Sequence, residues 1–245
     1  MVLRPNWPAT LMNPTASGGY PATIFDGVTD VLTNSSNLGI TLGQCQQYVF
    51  ACYFRNTRSS LGFNRLLSTS TTGGGLDIYN DNTNPGKTNI QTFNSAGTVI
   101  NYIRQASNVQ VDGQVYAVLC SADMNAGTVS MVYNNISSVT AVTNTFPTTA
   151  GWSTATQFRV AGSGTTWPGT IGMMYFRAGT YADAATNFSN FFNADFTPKD
   201  LGANGSTPLG VVPQIYMNGF DFVTGTNRGS GGAFTVTGSP RAGRI

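Results

Sequence analysis

The chain has 245 residues, enough for one large domain that buries about 70–75% of its unfolded surface. Only 9% of the residues are charged, compared with about 25% in an average protein, and the net charge is +2. Histidine and glutamate are absent, which excludes a Ser-His-Asp or Cys-His centre, a histidine-ligated zinc site and a paired-glutamate glycosidase site. We therefore expect no enzyme.

The predicted elements begin after an N-terminal arm. Residues 1–20 contain three prolines and few periodic apolar positions, which is typical of an extended terminus. The prolines also stand where a signal peptide needs an apolar run, so we expect no export signal. No stretch approaches the roughly 18 apolar residues of a membrane span.

Short β-rich runs follow from residue 21, separated by turn residues about every ten positions. The nearly continuous apolar runs Gln47–Phe54 and Val115–Cys120 predict strands that are buried on both faces. Thr128–Tyr133 follows the turn signal Asn125–Gly127, so residues 115–133 predict a β-hairpin. The other predicted strands cover residues 23–26, 29–33, 65–69, 76–79, 89–93, 98–103, 138–143, 157–162 and 170–178.

This pattern predicts an all-β fold, a two-sheet antiparallel jelly-roll sandwich over residues 21–196. One short helix is predicted near residues 183–193, with Asp183 as its N-cap. Phe188, Phe191 and Phe192 would form one face of that helix and pack it onto the sandwich. Residues 197–245 are rich in Gly, Pro and Thr and predict a C-terminal arm, held either by its own core or, as we favour, by neighbouring subunits.

The three cysteines form no recognisable motif. Cys45, Cys52 and Cys120 are an odd number without CxxC spacing, which favours buried free thiols. A Cys45–Cys52 bridge that closes a short loop is the alternative.

Three groups of motifs resemble concanavalin A-like, laminin G-like sandwich domains. Phe25–Leu32 resembles the opening strand pair of that family, and Gln114–Asp123 with Gly127–Asn135 resembles its central hairpin. Phe158–Gly162 followed by Trp167–Phe176 resembles its closing strands. The order and spacing match over roughly residues 20–196, so the resemblance implies a concanavalin A-like jelly roll.

The C-terminal part is similar to segments that follow this sandwich in tailed-bacteriophage virion proteins. The similarity lies in Phe196–Lys199, Pro213–Phe220 and Asn227–Gly238. It implies a capsid decoration or tail component with major capsid or tail subunits as partners, a homo-oligomer, and exposure on the extracellular particle. A surface poor in Lys and rich in Thr, Asn, Ser and Gly fits that location.

The same resemblance raises enzymatic and metal-binding alternatives. Related glucanases use two carboxylates, which here would have to be aspartates such as Asp77 and Asp81, and nothing in the sequence places a second acid opposite them. The stretch 77–84 is the densest set of oxygen ligands and could suit Ca²⁺, but it lacks a calcium-loop spacing. We favour an Asn-rich turn there, and expect no metal and no cofactor.

A carbohydrate-binding module for a bacterial surface glycan is the alternative to a purely structural role. Sugar sites combine aromatic rings with polar donors and acceptors. The candidate ligand-binding residues are Tyr79, Asn80, Asp81, Asn82 and Trp152.

Two further side-chain groups receive simpler interpretations. Trp167 opens a predicted strand and is expected in the core. The small cluster of Arg55, Arg58 and Arg65 indicates a solvated loop edge, so we expect no nucleic-acid partner and no membrane partner.

Overall fold

The computed structural model describes residues 19–57, 63–70, 75–81, 87–94, 96–104, 113–134, 136–137, 140–144, 151–162 and 167–245. The predicted N-terminal arm lies outside these residues, apart from Gly19 and Tyr20.

Strands from the whole length of the described chain form two antiparallel sheets. The first sheet contains β1 (Pro21–Asp26), β3 (Gln47–Asn56), β8 (Val115–Asp123), β9 (Thr128–Tyr133), β10 (Ile136–Ser137), β13 (Pro168–Ala178), β14 (Ile215–Asn218) and β16 (Arg241–Arg244). The second sheet contains β2 (Val31–Asn34), β4 (Phe63–Ser70), β5 (Leu76–Asp81), β6 (Lys87–Phe93), β7 (Val99–Arg104), β11 (Thr140–Asn144), β12 (Gln157–Val160) and β15 (Thr235–Thr237). The predicted two-sheet sandwich is confirmed.

The strand orders explain how the sheets close around one core. The first sheet runs β10-β9-β8-β3-β13-β1-β16, with β14 also paired to β13, and the second runs β11-β7-β6-β5-β4-β12-β2-β15. Each predicted strand from residue 23 to residue 178 overlaps one of these strands. Register shifts interrupt the second sheet between Arg65 and Leu67 and between Thr92 and Phe93, where β-bulges turn side chains to new positions.

The central strands of the first sheet are apolar throughout because both of their faces are buried. In β3, Tyr48 and Phe50 belong to the core between the sheets, whereas Val49, Ala51 and Tyr53 belong to a second apolar cluster on the outer face. This alternation is the period-2 pattern of a strand with an apolar partner on each side.

A helix covers the outer face of the first sheet. Helix α1 spans Ala184–Phe191, and the Asp183 carboxylate accepts a hydrogen bond from the Thr186 N–H at 3.0 Å, as the predicted N-cap requires. Phe191 is fully buried and its ring meets Tyr175 edge-to-face at 5.0 Å. The predicted helix and its packing are therefore confirmed.

The C-terminal segment is part of the sandwich, which corrects the prediction of an arm over residues 197–245. β14 extends the first sheet beside β13, β15 pairs with β2, and β16 pairs with β1 in the register Pro21↔Arg244. A second helix, α2 (Asp221–Thr224), buries Phe222 in the core between the sheets. The segment is thus held by the core of its own chain.

Two smaller predictions are also decided. Cys45, Cys52 and Cys120 are buried free thiols, so the alternative Cys45–Cys52 bridge is wrong. Trp167 is fully buried, as predicted, with its ring edge-to-face against Phe54 at 5.3 Å.

Candidate functional site

Trp152 was the aromatic platform expected in a loop, and the structure corrects this expectation. The residue opens a single 3-10 turn and its side chain is fully buried. The indole packs against Tyr48 at 6.5 Å and Phe176 at 5.7 Å between ring centroids. A ring enclosed in this way has no face on which a sugar could stack.

The other predicted ligand-binding residues belong to the end of β5 and the segment after it. The Tyr79 side chain is buried, with 5% exposure. Asn80 pairs in register with Thr88, and Asp81 pairs with Lys87, but only their backbone is described. Asn82 lies outside the described residues, so the choice between an Asx turn and a calcium loop over residues 77–84 stays a prediction.

Tyr79 nevertheless lies on a face with a recognisable chemistry. In β5, Leu76 and Ile78 point into the core, so Asp77 and Tyr79 point to the opposite, outer face of the second sheet. The strand pairings extend this face into two rows of facing positions. We call these rows the polar face: Arg159, Ser68, Asp77, Gln91 and Tyr102 form one row, and Arg65, Tyr79, Asn89 and Arg104 form the other.

Hydrogen bonds and an ion pair hold the side chains of the polar face in place. The Arg65 Nε lies 3.3 Å from the Asp77 Oδ2, and the Tyr102 hydroxyl donates to the Asn89 Oδ1 at 3.0 Å. The Asn89 side chain is fully buried. These contacts fix the orientation of groups that would otherwise sample several rotamers.

The carboxylate on this face is electrostatically unusual. Burial raises the pKa of Asp77 above its ordinary value of 3.8, and the neighbouring Arg65 opposes that rise. Both side chains keep some solvent contact, at 24% for Arg65 and 18% for Asp77. The pair therefore still offers donors and acceptors to a molecule that lies on the face.

Tyr102 and Arg104 are among the residues of this face that the sequence reasoning missed. Both are partly exposed, and Tyr102 supplies an aromatic ring with an anchored hydroxyl. The sequence feature that could have indicated them is the strand pattern of Val99–Arg104. Because Ile103 faces the core and side chains alternate along a strand, its two neighbours must face the opposite side of the sheet. Without the register of β6 and β7, nothing linked them to Tyr79.

Two features are absent from the described residues. These residues contain no group of three or more His, Cys, Asp or Glu side chains that could hold a metal ion. Among them, no helix has both the length and the apolar composition that a bilayer crossing requires.

Comparison with known proteins identifies the fold. No protein-family model and no curated protein matches the chain. A Bacteroides ovatus protein described as a candidate carbohydrate-binding protein matches with a TM-score of 0.58 at 10% identity, covering 93% of this chain and 60% of its own. Mouse laminin α1 domains LG4-5 match with a TM-score of 0.45 at 14% identity, covering 64% of this chain and 41% of the laminin chain. The CBM40 domain of a Ruminococcus gnavus sialidase matches with a TM-score of 0.49 at 14% identity, covering 66% of this chain and 92% of the CBM40 chain.

These similarities concern the fold. Together with the sheet topology, the Bacteroides ovatus match shows a two-sheet antiparallel jelly-roll β-sandwich, the fold class that the sequence predicts. The chain spans about two fifths of the laminin structure and three fifths of the Bacteroides ovatus protein. The resemblance to bacteriophage proteins stays a prediction.

Proposed function

We propose that the chain is a carbohydrate-binding domain that recognises an oligosaccharide on the polar face. The observation that carries this proposal is the pair of cross-strand rows in which the partly exposed Tyr102 ring shares one sheet face with ordered guanidinium, amide and carboxylate groups. A pyranose needs an aromatic surface for its C–H groups and oriented polar groups for its hydroxyls. The carbohydrate-binding description of the Bacteroides ovatus neighbour supports the same class of ligand.

The dimensions of the polar face suit an extended ligand. From β12 to β7 the first row crosses β4, β5 and β6 between its ends, which at about 4.8 Å per strand spacing amounts to roughly 19 Å. Because Arg65, Tyr102 and Arg159 already have partners on the protein, the face needs little reorganisation on binding. We therefore expect an oligosaccharide to bind more tightly than its monosaccharide.

The test is glycan binding by the intact chain and two Tyr102 variants. A glycan array of neutral and acidic bacterial polysaccharide fragments identifies a ligand, and calorimetry gives its affinity. Tyr102→Ala should weaken binding about tenfold or more, whereas Tyr102→Phe keeps the ring and loses only the hydroxyl bond to Asn89. Arg241→Ala, at an exposed position of the first sheet, is the matched control. An array without signal, or equal affinities for all variants, would refute the proposal.

We further propose that the domain acts without catalysis. The absence of His and Glu from the chain and the pairing of Asp77 with a guanidinium rather than a second carboxylate support this view. Incubation with β-glucans and with any glycan identified on the array should release no reducing ends. Product formation that is lost in Asp77→Asn would overturn it.

A bacteriophage virion is the setting we propose for this domain, with attachment as a capsid decoration or tail component. The low charge of the chain and the similarity of three segments between residues 196 and 238 to virion proteins support it. A surface with few ions packs against capsid or tail subunits with a small desolvation cost. Sedimentation of the purified chain with phage particles tests this setting. A chain that stays monomeric and leaves the particles free in solution would argue against it.

A further inference from the structure

A second candidate site, which is a pocket, lies on the first sheet, away from the polar face. It is a pocket of about 370 Å³, near the lower end of the range for ligand pockets, between Tyr20, the end of β14 and the start of α2. Its lining residues are Tyr20, Pro21, Asn218, Gly219, Phe220, Asp221 and Arg228. The C-terminal segment supplies most of these residues, so the pocket exists only because that segment folds back onto the sandwich.

The walls of the pocket are held rigidly. Backbone hydrogen bonds in both directions join Tyr20 to Ile245, and the Tyr20 ring packs edge-to-face on Tyr53 at 5.5 Å. Opposite them, the Gly219 N–H donates to the Gly172 carbonyl at 2.7 Å, and its own carbonyl accepts from the Thr23 hydroxyl at 3.0 Å. A ligand would therefore meet walls that are already in position.

The polar groups of the pocket form one connected chain. The Tyr20 hydroxyl donates to the Asn218 Oδ1, and the Asn218 N–H donates to the Asp221 Oδ2 at 2.8 Å. Burial above all raises the pKa of Tyr20, so its hydroxyl remains protonated. Its one proton is donated to Asn218, and its oxygen can still accept a hydrogen bond from a ligand. The Asn218 Nδ2 donates to the Tyr216 hydroxyl over a long 3.4 Å, and its amide carries a second N–H that can donate to a ligand.

The charges in the pocket cancel. Arg228 contacts the buried Asp221 carboxylate through its Nε at 2.7 Å and its Nη2 at 3.0 Å. This bidentate pair uses two of the five guanidinium N–H groups, and the Arg228 side chain remains 42% exposed. The remaining N–H groups can donate to uncharged oxygens, whereas an anion would have to compete with Asp221.

Phe220 supplies an apolar surface at the same place. Phe220 is 44% exposed. Among the described residues, the other exposed large hydrophobic side chains are aliphatic. With Pro21, Phe220 gives the pocket an apolar wall beside the polar chain. A flat ring next to oriented hydroxyl, amide and guanidinium groups has the pattern of a sugar subsite, since a pyranose has an apolar C–H face and a polar rim.

We propose that this pocket binds a single uncharged pyranose unit, with Phe220 beneath its C–H face and Asn218 and Arg228 at its hydroxyls. The site is independent of the polar face because β14 belongs to the first sheet and the polar face to the second. An uncharged glycoside should bind at least as tightly as the otherwise identical glycoside that carries a carboxylate.

The experiment titrates the full-length chain with methyl glycosides and follows backbone amide resonances by NMR. The probes are methyl glucopyranoside, methyl mannopyranoside and methyl galactopyranoside, with methyl glucuronide as the charged counterpart of the first. We expect saturable millimolar shifts at Tyr20, Asn218 and Arg228 for one uncharged probe. Phe220→Ala should weaken this binding about tenfold, or ~1.4 kcal/mol, while Phe220→Trp retains it.

Two control variants distinguish binding in this pocket from a general surface effect and from binding on the polar face. Val211→Ala removes an exposed apolar side chain of the same segment outside the pocket and should change nothing. Tyr102→Ala, which tests the polar face, should leave these shifts unchanged even if oligosaccharide binding is lost. The proposal fails if no probe gives saturable shifts, if only the glucuronide binds, or if Phe220→Ala binds as tightly as the unaltered chain.

Discussion

Gly238 offers the sharpest test of how the C-terminal segment is attached. It adopts φ +85° between β15 and β16, and a Cβ at this position would lie 2.3 Å from the Asp30 Oδ1 and 2.9 Å from the Asp30 Cα. Asp30 is buried, and its Oδ1 accepts the Ser239 N–H at 2.7 Å. Gly238→Ala must therefore displace the segment from the β1–β2 turn. Gly210 is the matched control, because it has φ +71° and nothing within 4 Å of its Cβ position.

The two alanine variants share the left-handed backbone cost of about 1–2 kcal/mol and the loss of unfolded-state freedom. Gly238→Ala adds the weakening of a hydrogen bond to a charged acceptor, about 1.5–3 kcal/mol, and overpacking of about 1–3 kcal/mol. We therefore expect it to lose about 2.5–6 kcal/mol more of the free energy of unfolding than Gly210→Ala.

Urea unfolding, followed by the fluorescence of the buried Trp152 and Trp167, measures the difference. Two protein concentrations separate intramolecular from intersubunit docking, because only the latter makes stability depend on concentration. Losses that agree within about 0.5 kcal/mol would refute the docking of this segment on its own sandwich. A concentration-dependent difference would instead favour an arm that binds a neighbouring subunit.

Three further predictions test the fold and its titrating groups. Asp183→Ala should cost about 1 kcal/mol at neutral pH. That difference should vanish as the pH falls, because the Thr186 N–H bond lowers the pKa of Asp183 and the cap is lost on protonation. The folded pKa of Asp77 is raised by burial, so raising the pH from below 3.8 should destabilise the native chain relative to Asp77→Asn. Burial also raises the pKa of Cys45 to about 11, and alkylation at neutral pH should be slow until urea unfolds the chain.

The strands were predictable because their period-2 pattern is local. Gln47–Phe54 has apolar residues at nearly every position, and the structure accounts for this with an apolar cluster on each side. The Asp183 cap is likewise a local signal, since its partner Thr186 is only three positions away. Such features depend on neighbours in the sequence and not on the topology.

The C-terminal strands were missed because their pairing is not local. β14, β15 and β16 are each only three or four residues long, and Gly219 and Gly238 interrupt their surroundings. A Gly- and Pro-rich composition lowers strand propensity, and tertiary pairing with β13, β2 and β1 overrides it. The prediction for Trp152 failed for a related reason, because its place in a loop says nothing about the direction of its indole.

The burial of the two sheets limits where a ligand can lie. The outer face of the first sheet is covered by α1 and by residues of the C-terminal segment such as Leu201, so its central strands present no row of side chains to solvent. The polar face of the second sheet retains partly exposed arginine, glutamine and tyrosine side chains at facing positions. An extended glycan is therefore expected on the second sheet, whereas on the first sheet a ligand can bind only at the margin, outside the covered central strands. At that margin the returning segment brings Phe220 and Arg228 beside Tyr20.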